Sequence, residues 1–110
     1  MTRVRFLADQ NGIKGFEISG HCSASSDDET GKIVCAAVSS AAYMAVNTIT
    51  DVIGAKSDVR VSDAVMRFLL KDTSKEAKAV LEGFRLHIEE LSGQYKNNIQ
   101  IIGGAKNVKD

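Results

Sequence analysis

Residues 4–19, VRFLADQNGIKGFEIS, decide the fold because they predict a β-hairpin. Val4, Phe6 and Ala8 share one side of the first strand by their two-residue spacing, which leaves the other side exposed to water. The Asn-Gly pair at 11–12 favours a tight turn, because both residues tolerate positive φ. The rest of the stretch predicts the return strand.

Beyond the hairpin, the chain predicts two helices and three further strands. Residues 33–54 are rich in Ala, Ser, Met and Val, which indicates a helix packed closely on more than one side. Residues 59–61 and 64–70 are rich in β-forming residues and predict two strands joined by a turn. Apolar residues at helical spacing over 77–91 predict an amphipathic helix, and residues 98–102 predict a last short strand.

The order of these elements, β-β-α-β-β-α-β, predicts an α/β (α+β) fold that is a two-layer sandwich. Hairpins favour antiparallel pairing, so we expect a mostly antiparallel sheet of about five strands with two helices on one face. Thr73 and Glu76 predict a capping box at the start of the second helix. We expect residues 1–102 to form a single domain and residues 103–110 to form a flexible C-terminal tail.

The composition indicates one globular domain and limits its partners. Of 110 residues, 44% are hydrophobic and 25% are charged, as in ordinary soluble proteins. Two cysteines are too few for a disulfide-dense scaffold. Basic and acidic residues number 14 each, so the formal net charge is zero. Because nucleic-acid binding needs a basic field, this balance argues against direct contact with nucleic acid.

The start of the sequence lacks the long apolar run of a signal peptide. The most apolar stretch, residues 33–53, is interrupted by polar residues, which indicates a buried helix rather than a membrane span. We therefore expect a cytoplasmic protein with no membrane partner. In that reducing compartment both thiols are expected to be free.

Cys35 and His21 are the first candidates for chemistry. Cys35 falls in the opening turn of the predicted helix, where free N–H groups and the helix dipole favour a thiolate. His21 begins a polar stretch, residues 20–32, and a loop closing over the helix start would bring its imidazole to the sulfur. The pair would then act as nucleophile and general base. The alternative is a packed structural cysteine and a surface histidine.

Three other polar residues could support such a pair. Asp27 and Asp28 belong to an acidic run in the same polar stretch, and either could orient the imidazole or simply be solvated. Ser39 follows Cys35 by four residues, so it lies on the same helix face and could donate a hydrogen bond there or merely allow close packing. No cysteine pair has the spacing of a zinc site, so we expect no metal.

The pair Gly20-His21, the polar stretch and residues 33–39, IVCAAVS, resemble the signature of the ribosomal-processing cysteine protease family, called Prp. The resemblance implies a cysteine-protease-like domain over residues 1–102, in a small cytosolic bacterial enzyme that is usually a homodimer. The family removes an N-terminal extension from large-subunit ribosomal protein twenty-seven. Its partner is thus a ribosomal protein precursor peptide, and the reaction uses no cofactor.

Carried over by position, the resemblance makes Cys35 the nucleophile, His21 the general base and Ser39 a supporting residue. The sequence departs from the family pattern at Lys32, where the family usually has Asp. Asp27 or Asp28 would then have to supply the carboxylate, or the Lys32 charge would stabilise the thiolate.

Two interpretations of the sequence in which the protein is not an enzyme stay open. One is a small α/β module that binds ribosomal components or RNA, because Arg3 and Arg5 share one strand face while Arg60 and Arg67 lie on other strands. Few aromatic residues are left for stacking on bases in that case. The other is a dimerisation protein whose Ala-rich helix packs on its twin, with Cys35 buried and unreactive.

Overall fold

The computed structural model describes residues 1–20, 29–63 and 65–107 of the chain, and the side chains of 103–107 are outside this description. The predicted order of elements and the predicted fold class are confirmed. A wider π-type helical segment, Thr48–Ile53, continues the first helix. The elements are β1 (Thr2–Asp9), β2 (Gly12–Ser19), α1 (Glu29–Asn47), β3 (Ser57–Val61), β4 (Val65–Leu70), α2 (Lys75–Gln94) and β5 (Ile99–Asn107).

The five strands form one mixed sheet in the order β3-β4-β2-β1-β5. The two predicted hairpins pair antiparallel, as does β2 with β4, whereas β5 pairs parallel with β1. The first hairpin carries a bulge between Leu7 and Ala8. Strand β5 continues five residues beyond the predicted end at Ile102, through residues 103–107 that we expected to belong to a tail.

The core lies on one face of the sheet, between the strands and both helices. Phe16 of β2 is fully buried and its ring centroid lies 5.7 Å from that of Phe68 and 4.4 Å from that of Phe84. Phe6 of β1 meets Phe84 edge to face at 6.1 Å. Each buried ring contributes roughly 1.5–3 kcal/mol by removing apolar surface from water. This cluster therefore fixes α2 against the three central strands.

Helix α1 also packs against the core. Its inward residues are small or β-branched, and Val34, Val38 and Ala42 are at most 1% exposed. The helical run from residue 29 to 53 has a mean hydropathy of 1.5 and is long enough to cross a membrane. Its buried side packs on the sheet, as a core helix does. The run ends at Gly54, whose left-handed φ of +77° is typical of a glycine that terminates a helix.

Helix α2 begins one residue later than the predicted capping box. Ser74, not Thr73, is the N-cap, and its Oγ accepts a hydrogen bond from the Ala77 N–H at 3.0 Å. The Asp72 carboxylate accepts one from the Ser74 N–H at 2.9 Å, which holds the cap in place. The prediction that Thr73 is the N-cap was wrong. Thr73 and Ser74 both carry a hydroxyl group that can cap a helix, and the hydrogen bond to Asp72 selects Ser74.

The same Asp72 carboxylate also accepts a hydrogen bond from the Lys56 N–H at 2.9 Å, next to the start of β3. The bond from Ser74 first, and then the bond from Lys56, lower the pKa of Asp72 below its ordinary value of 3.8. A carboxyl with a lowered pKa stabilises the fold above its ordinary pKa and loses that contribution as the pH falls through the lowered value.

We therefore expect Asp72→Asn to lower the urea midpoint of unfolding at neutral pH. The deficit should shrink when the pH is brought well below 3.8, where the wild-type carboxyl is protonated as well. Glu90→Gln, which removes an exposed carboxylate of α2, is the control and should change the midpoint little at either pH. An Asp72→Asn deficit that is equal at both pH values would contradict this role of the charge.

Candidate active site

Helix α1 positions Cys35, but deeper than the sequence predicted. The helix begins at Glu29, so Cys35 is its seventh residue and lies in the second turn. The expectation that Cys35 occupies the opening turn is wrong, because the polar residues before Ile33 are already helical. The N–H groups without intrahelical acceptors belong to the first turn, before Lys32. The dipole effect on the sulfur is weaker than expected, since it falls off within the first turn.

The Cys35 side chain is buried, and its sulfur forms a disulfide bond. It is 3% exposed and follows Val34, which is 1% exposed on the inward side of α1. Cys35 is part of a disulfide, which corrects the expectation of free thiols. The chain contains one other cysteine, Cys22, which lies outside the described residues. The sulfur can therefore become a nucleophile only after reduction.

Two residues flank Cys35 on α1, one turn before and one turn after it. Ser39 is half-buried and shares the helix face of Cys35, as the four-residue spacing predicts. Its hydroxyl makes no hydrogen bond with any other residue in the described part of the chain. Lys32 is exposed in the first turn, where the family pattern has Asp. The positions of both are compatible with supporting roles.

The other predicted site residues, His21, Asp27 and Asp28, lie outside the described residues. Whether the imidazole reaches the Cys35 sulfur, and which carboxylate orients it, therefore stay predictions. The described chain fixes only the two ends of the segment that carries them, at Gly20 and at Glu29.

Gly20, the residue before His21, has a structural reason to be glycine. Its φ is +107°, a backbone conformation that residues with a side chain rarely adopt. A Cβ atom at this position would also overlap the backbone carbonyl oxygen of Met1. The end of β2 can therefore pass close to the start of β1 only with glycine here. In the sequence, Gly20 is visible only as part of the family signature, because its approach to Met1 depends on the pairing of β1 with β2.

A groove of about 690 Å³ lies between α1 and α2, on the outside of the helix layer. Its lining is mostly apolar and includes Met44, Phe84 and His87, but neither Cys35 nor Ser39. Of the predicted site residues, the two that are described, Cys35 and Ser39, therefore lie outside the lining of this groove. Within residues 1–20, 29–63 and 65–107, no three His, Cys, Asp or Glu side chains are grouped so that they could hold a metal ion.

We expect Gly20→Ala to destabilise the protein by about 1–3 kcal/mol, because it strains the backbone and overlaps the Met1 carbonyl. Gly93→Ala is the matched control, since a Cβ there meets nothing within 4 Å and alanine favours the helix by about 1 kcal/mol. Urea unfolding of both variants measures the two shifts, which should have opposite signs. Equal stability of Gly20→Ala and wild type would exclude this constraint.

The model of the family "Cysteine protease Prp" matches residues 1–100 of the chain. The search of curated proteins finds no significant match. Solved structures with the same fold include the essential ribosomal processing protease Prp from S. aureus in complex with a substrate peptide. It is 23% identical, with a TM-score of 0.81 over 92% of this chain and 97% of that one.

Two further solved structures have the same fold. Prp from S. aureus in complex with a covalently linked product peptide is 21% identical, with a TM-score of 0.81 over 96% of this chain and 100% of that one. A protein from Streptococcus mutans is 19% identical, with a TM-score of 0.81 over 92% of this chain and 91% of that one. These likenesses establish the fold. The family match spans the hairpin, both helices and both parts of the predicted signature, and this chain accordingly belongs to the cysteine protease Prp family.

Proposed function

We propose that this chain removes the N-terminal extension of large-subunit ribosomal protein twenty-seven, with Cys35 as nucleophile and His21 as general base. The observation that carries the proposal is the family match over residues 1–100, which includes both Gly20-His21 and the IVCAAVS stretch of α1. The S. aureus relative, which is a ribosomal processing protease and binds a substrate peptide, supports the choice of a ribosomal precursor.

In the proposed reaction, the Cys35 thiolate attacks the carbonyl carbon of the scissile peptide bond and forms an S–C bond. The C–N bond then breaks, and the His21 imidazolium gives its proton to the leaving amine. Water, deprotonated by His21, hydrolyses the resulting thioester and restores the thiol. Backbone N–H groups near the start of α1 are candidate donors to the oxyanion. No step in this scheme needs a metal or a cofactor.

The disulfide at Cys35 makes reduction the first step before catalysis. A dithiol reductant exchanges with the disulfide, is itself oxidised, and leaves two protein thiols. We propose a cytoplasmic location for the active enzyme, because the reducing pool there supplies this step. Burial of the sulfur adds a second requirement, since the peptide must reach a side chain that is 3% exposed in this state.

Ser39, Asp27 and Asp28 complete the proposed site. The Ser39 hydroxyl lies one helical turn from Cys35 and is available to donate a hydrogen bond to the sulfur or the substrate. One of the two aspartates would orient His21. The family resemblance also implies a homodimer, which we carry over as a proposal. Its test is a solution mass of about twice the 11.8 kDa chain, measured by sedimentation.

Alkylation by iodoacetamide tests the state of the sulfur. Without reductant, we expect Cys35 to resist labelling in the folded protein, because its sulfur is bonded and buried. After treatment with dithiothreitol, Cys35 should react faster than Cys22 near neutral pH, as an activated thiol does. Peptide mass spectrometry separates the two sites, and unfolded reduced protein gives the reference rate. Slow and equal labelling of both thiols after reduction would count against an activated nucleophile.

Cleavage of a peptide that copies the extension tests the whole proposal. Cys35→Ala should abolish turnover, and His21→Ala should lower kcat by about 10²–10⁴ because the proton transfers lose their catalyst. His87→Ala, at the chain's other histidine, is the control and should cleave like wild type. Cys22→Ala should keep turnover and no longer require a reductant, because no second cysteine remains. Turnover by Cys35→Ala would eliminate the mechanism.

A further inference from the structure

The strand register aligns arginines that are far apart in the sequence. Arg60 of β3 lies opposite Arg67 of β4, and Arg67 lies opposite Glu17 of β2. Glu17 in turn lies opposite Arg5 of β1. Residues opposite each other on neighbouring strands point to the same side of a sheet. These four side chains therefore form one row on the face that carries no helix.

A second row adds another arginine beside the first. Arg3 precedes Arg5 by two residues, so both side chains project from the same face of β1. Arg3 lies opposite Ser19 of β2 on one side and Gln100 of β5 on the other. We call the surface formed by Arg3, Arg5, Arg60 and Arg67 the arginine face.

The arginines of this face are exposed, and two of them, Arg3 and Arg5, form no ion pair within the described residues. Arg60 approaches Asp58 at 3.4 Å and Arg67 approaches Glu17 at 3.8 Å, both at long distances and in contact with solvent. Such exposed pairs contribute little. Arg3 and Arg5 form no ion pair with any residue in the described part of the chain. Their charges are available to a ligand.

The zero net charge of the chain conceals this asymmetry. The helix layer has a small excess of negative charge, since α2 carries four acidic and three basic side chains, and α1 with its π-type continuation carries two acidic and one basic. Within the described residues, the four arginines on the opposite surface are accompanied by two carboxylates, those of Glu17 and Asp58. The two surfaces therefore present opposite signs of charge, with the positive sign on the open sheet.

We propose that the arginine face binds the backbone of RNA. A guanidinium group donates two parallel hydrogen bonds to a phosphate, which suits a surface built from arginine rather than lysine. Arg60 and Arg5 are three strand spacings of about 4.8 Å apart, so the row is about 14 Å wide, and Arg3 lies about 7 Å from Arg5 along the strand. This array extends in two dimensions and meets several phosphates at once.

The polar residues of the same face favour RNA over DNA. Ser19 and Gln100 flank Arg3, and the Glu17 carboxylate lies between Arg67 and Arg5. These groups can exchange hydrogen bonds with 2′-hydroxyls, which only RNA carries. The phenylalanines of the sheet are buried in the core, so base stacking is not part of the proposed contact.

Two other polyanions fit the surface less well. An anionic membrane needs apolar side chains to insert, but the most exposed ones, Val52 at 80% and Met44 at 73%, lie on the helix layer. An acidic peptide lacks the 2′-hydroxyls that the polar residues of this face can meet. RNA binding at this face is independent of Cys35, so the proposal stands or falls separately from the proposed protease activity.

Fluorescence anisotropy with a labelled oligouridylate of about 20 nucleotides, longer than common single-strand sites, tests the proposal. If four phosphates are neutralised, a plot of the logarithm of the association constant against the logarithm of the salt concentration should have a slope of about −2.8. The affinity should then fall about fiftyfold between about 50 and 200 mM salt. Arg3→Gln/Arg5→Gln should weaken binding and bring the slope to about −1.4, a loss of about sevenfold over the same range.

Lys32→Gln/Lys75→Gln is the matched control, because it removes the same charge from exposed positions on the helix layer. We expect it to bind the oligouridylate like wild type. Equal weakening by both double variants, or no salt-dependent binding by wild type, would overturn the proposal. So would equal binding of oligothymidylate, tighter binding of phosphatidylserine vesicles or polyglutamate, or a changed solution mass of Arg3→Gln/Arg5→Gln.

Discussion

The phenylalanine cluster on one face of the sheet is the interaction on which the rest of the structure depends. Phe16 of β2 contacts Phe68 of the neighbouring strand and Phe84 of α2, so strand register and helix position are fixed together. Both helices must cover this apolar face to keep it from water. The placement of Cys35 on the inward side of α1 and the exposure of the opposite sheet face both follow from that one-sided core.

Local periodicity was sufficient to predict the fold class. Alternation in the hairpin and helical spacing in α2 are properties of short segments, and the structure confirms both. The parallel pairing of β5 with β1 could not be predicted, because it joins segments about a whole chain length apart. The start of α1 at Glu29 was missed for a different reason. Its first turn carries only one buried residue, Gly31, so there is no apolar spacing to detect.

The family signature could be recognised in the sequence, but the chemical state of Cys35 could not. The order of Gly20-His21 and the IVCAAVS stretch is visible in the sequence and agrees with the family match. The burial and oxidation of the Cys35 sulfur depend on packing across the molecule and on the redox environment. The helix dipole, which we invoked for an opening-turn cysteine, contributes less at the second turn. In the proposed mechanism, activation of the thiol then depends mainly on the His21 imidazole.

The core and the arginine face are two consequences of one register. Because side chains alternate along a strand, the pairing that turns Phe16 inward also turns Glu17 outward, and the pairing that buries Phe6 exposes Arg5. A slip of one residue would bury the arginines and expose the phenylalanines, at a large cost in free energy. The apolar core therefore selects the alignment of charges on the other side. A sequence with zero net charge can carry a basic surface for this reason, and the total count of charged residues is a poor guide to its partners.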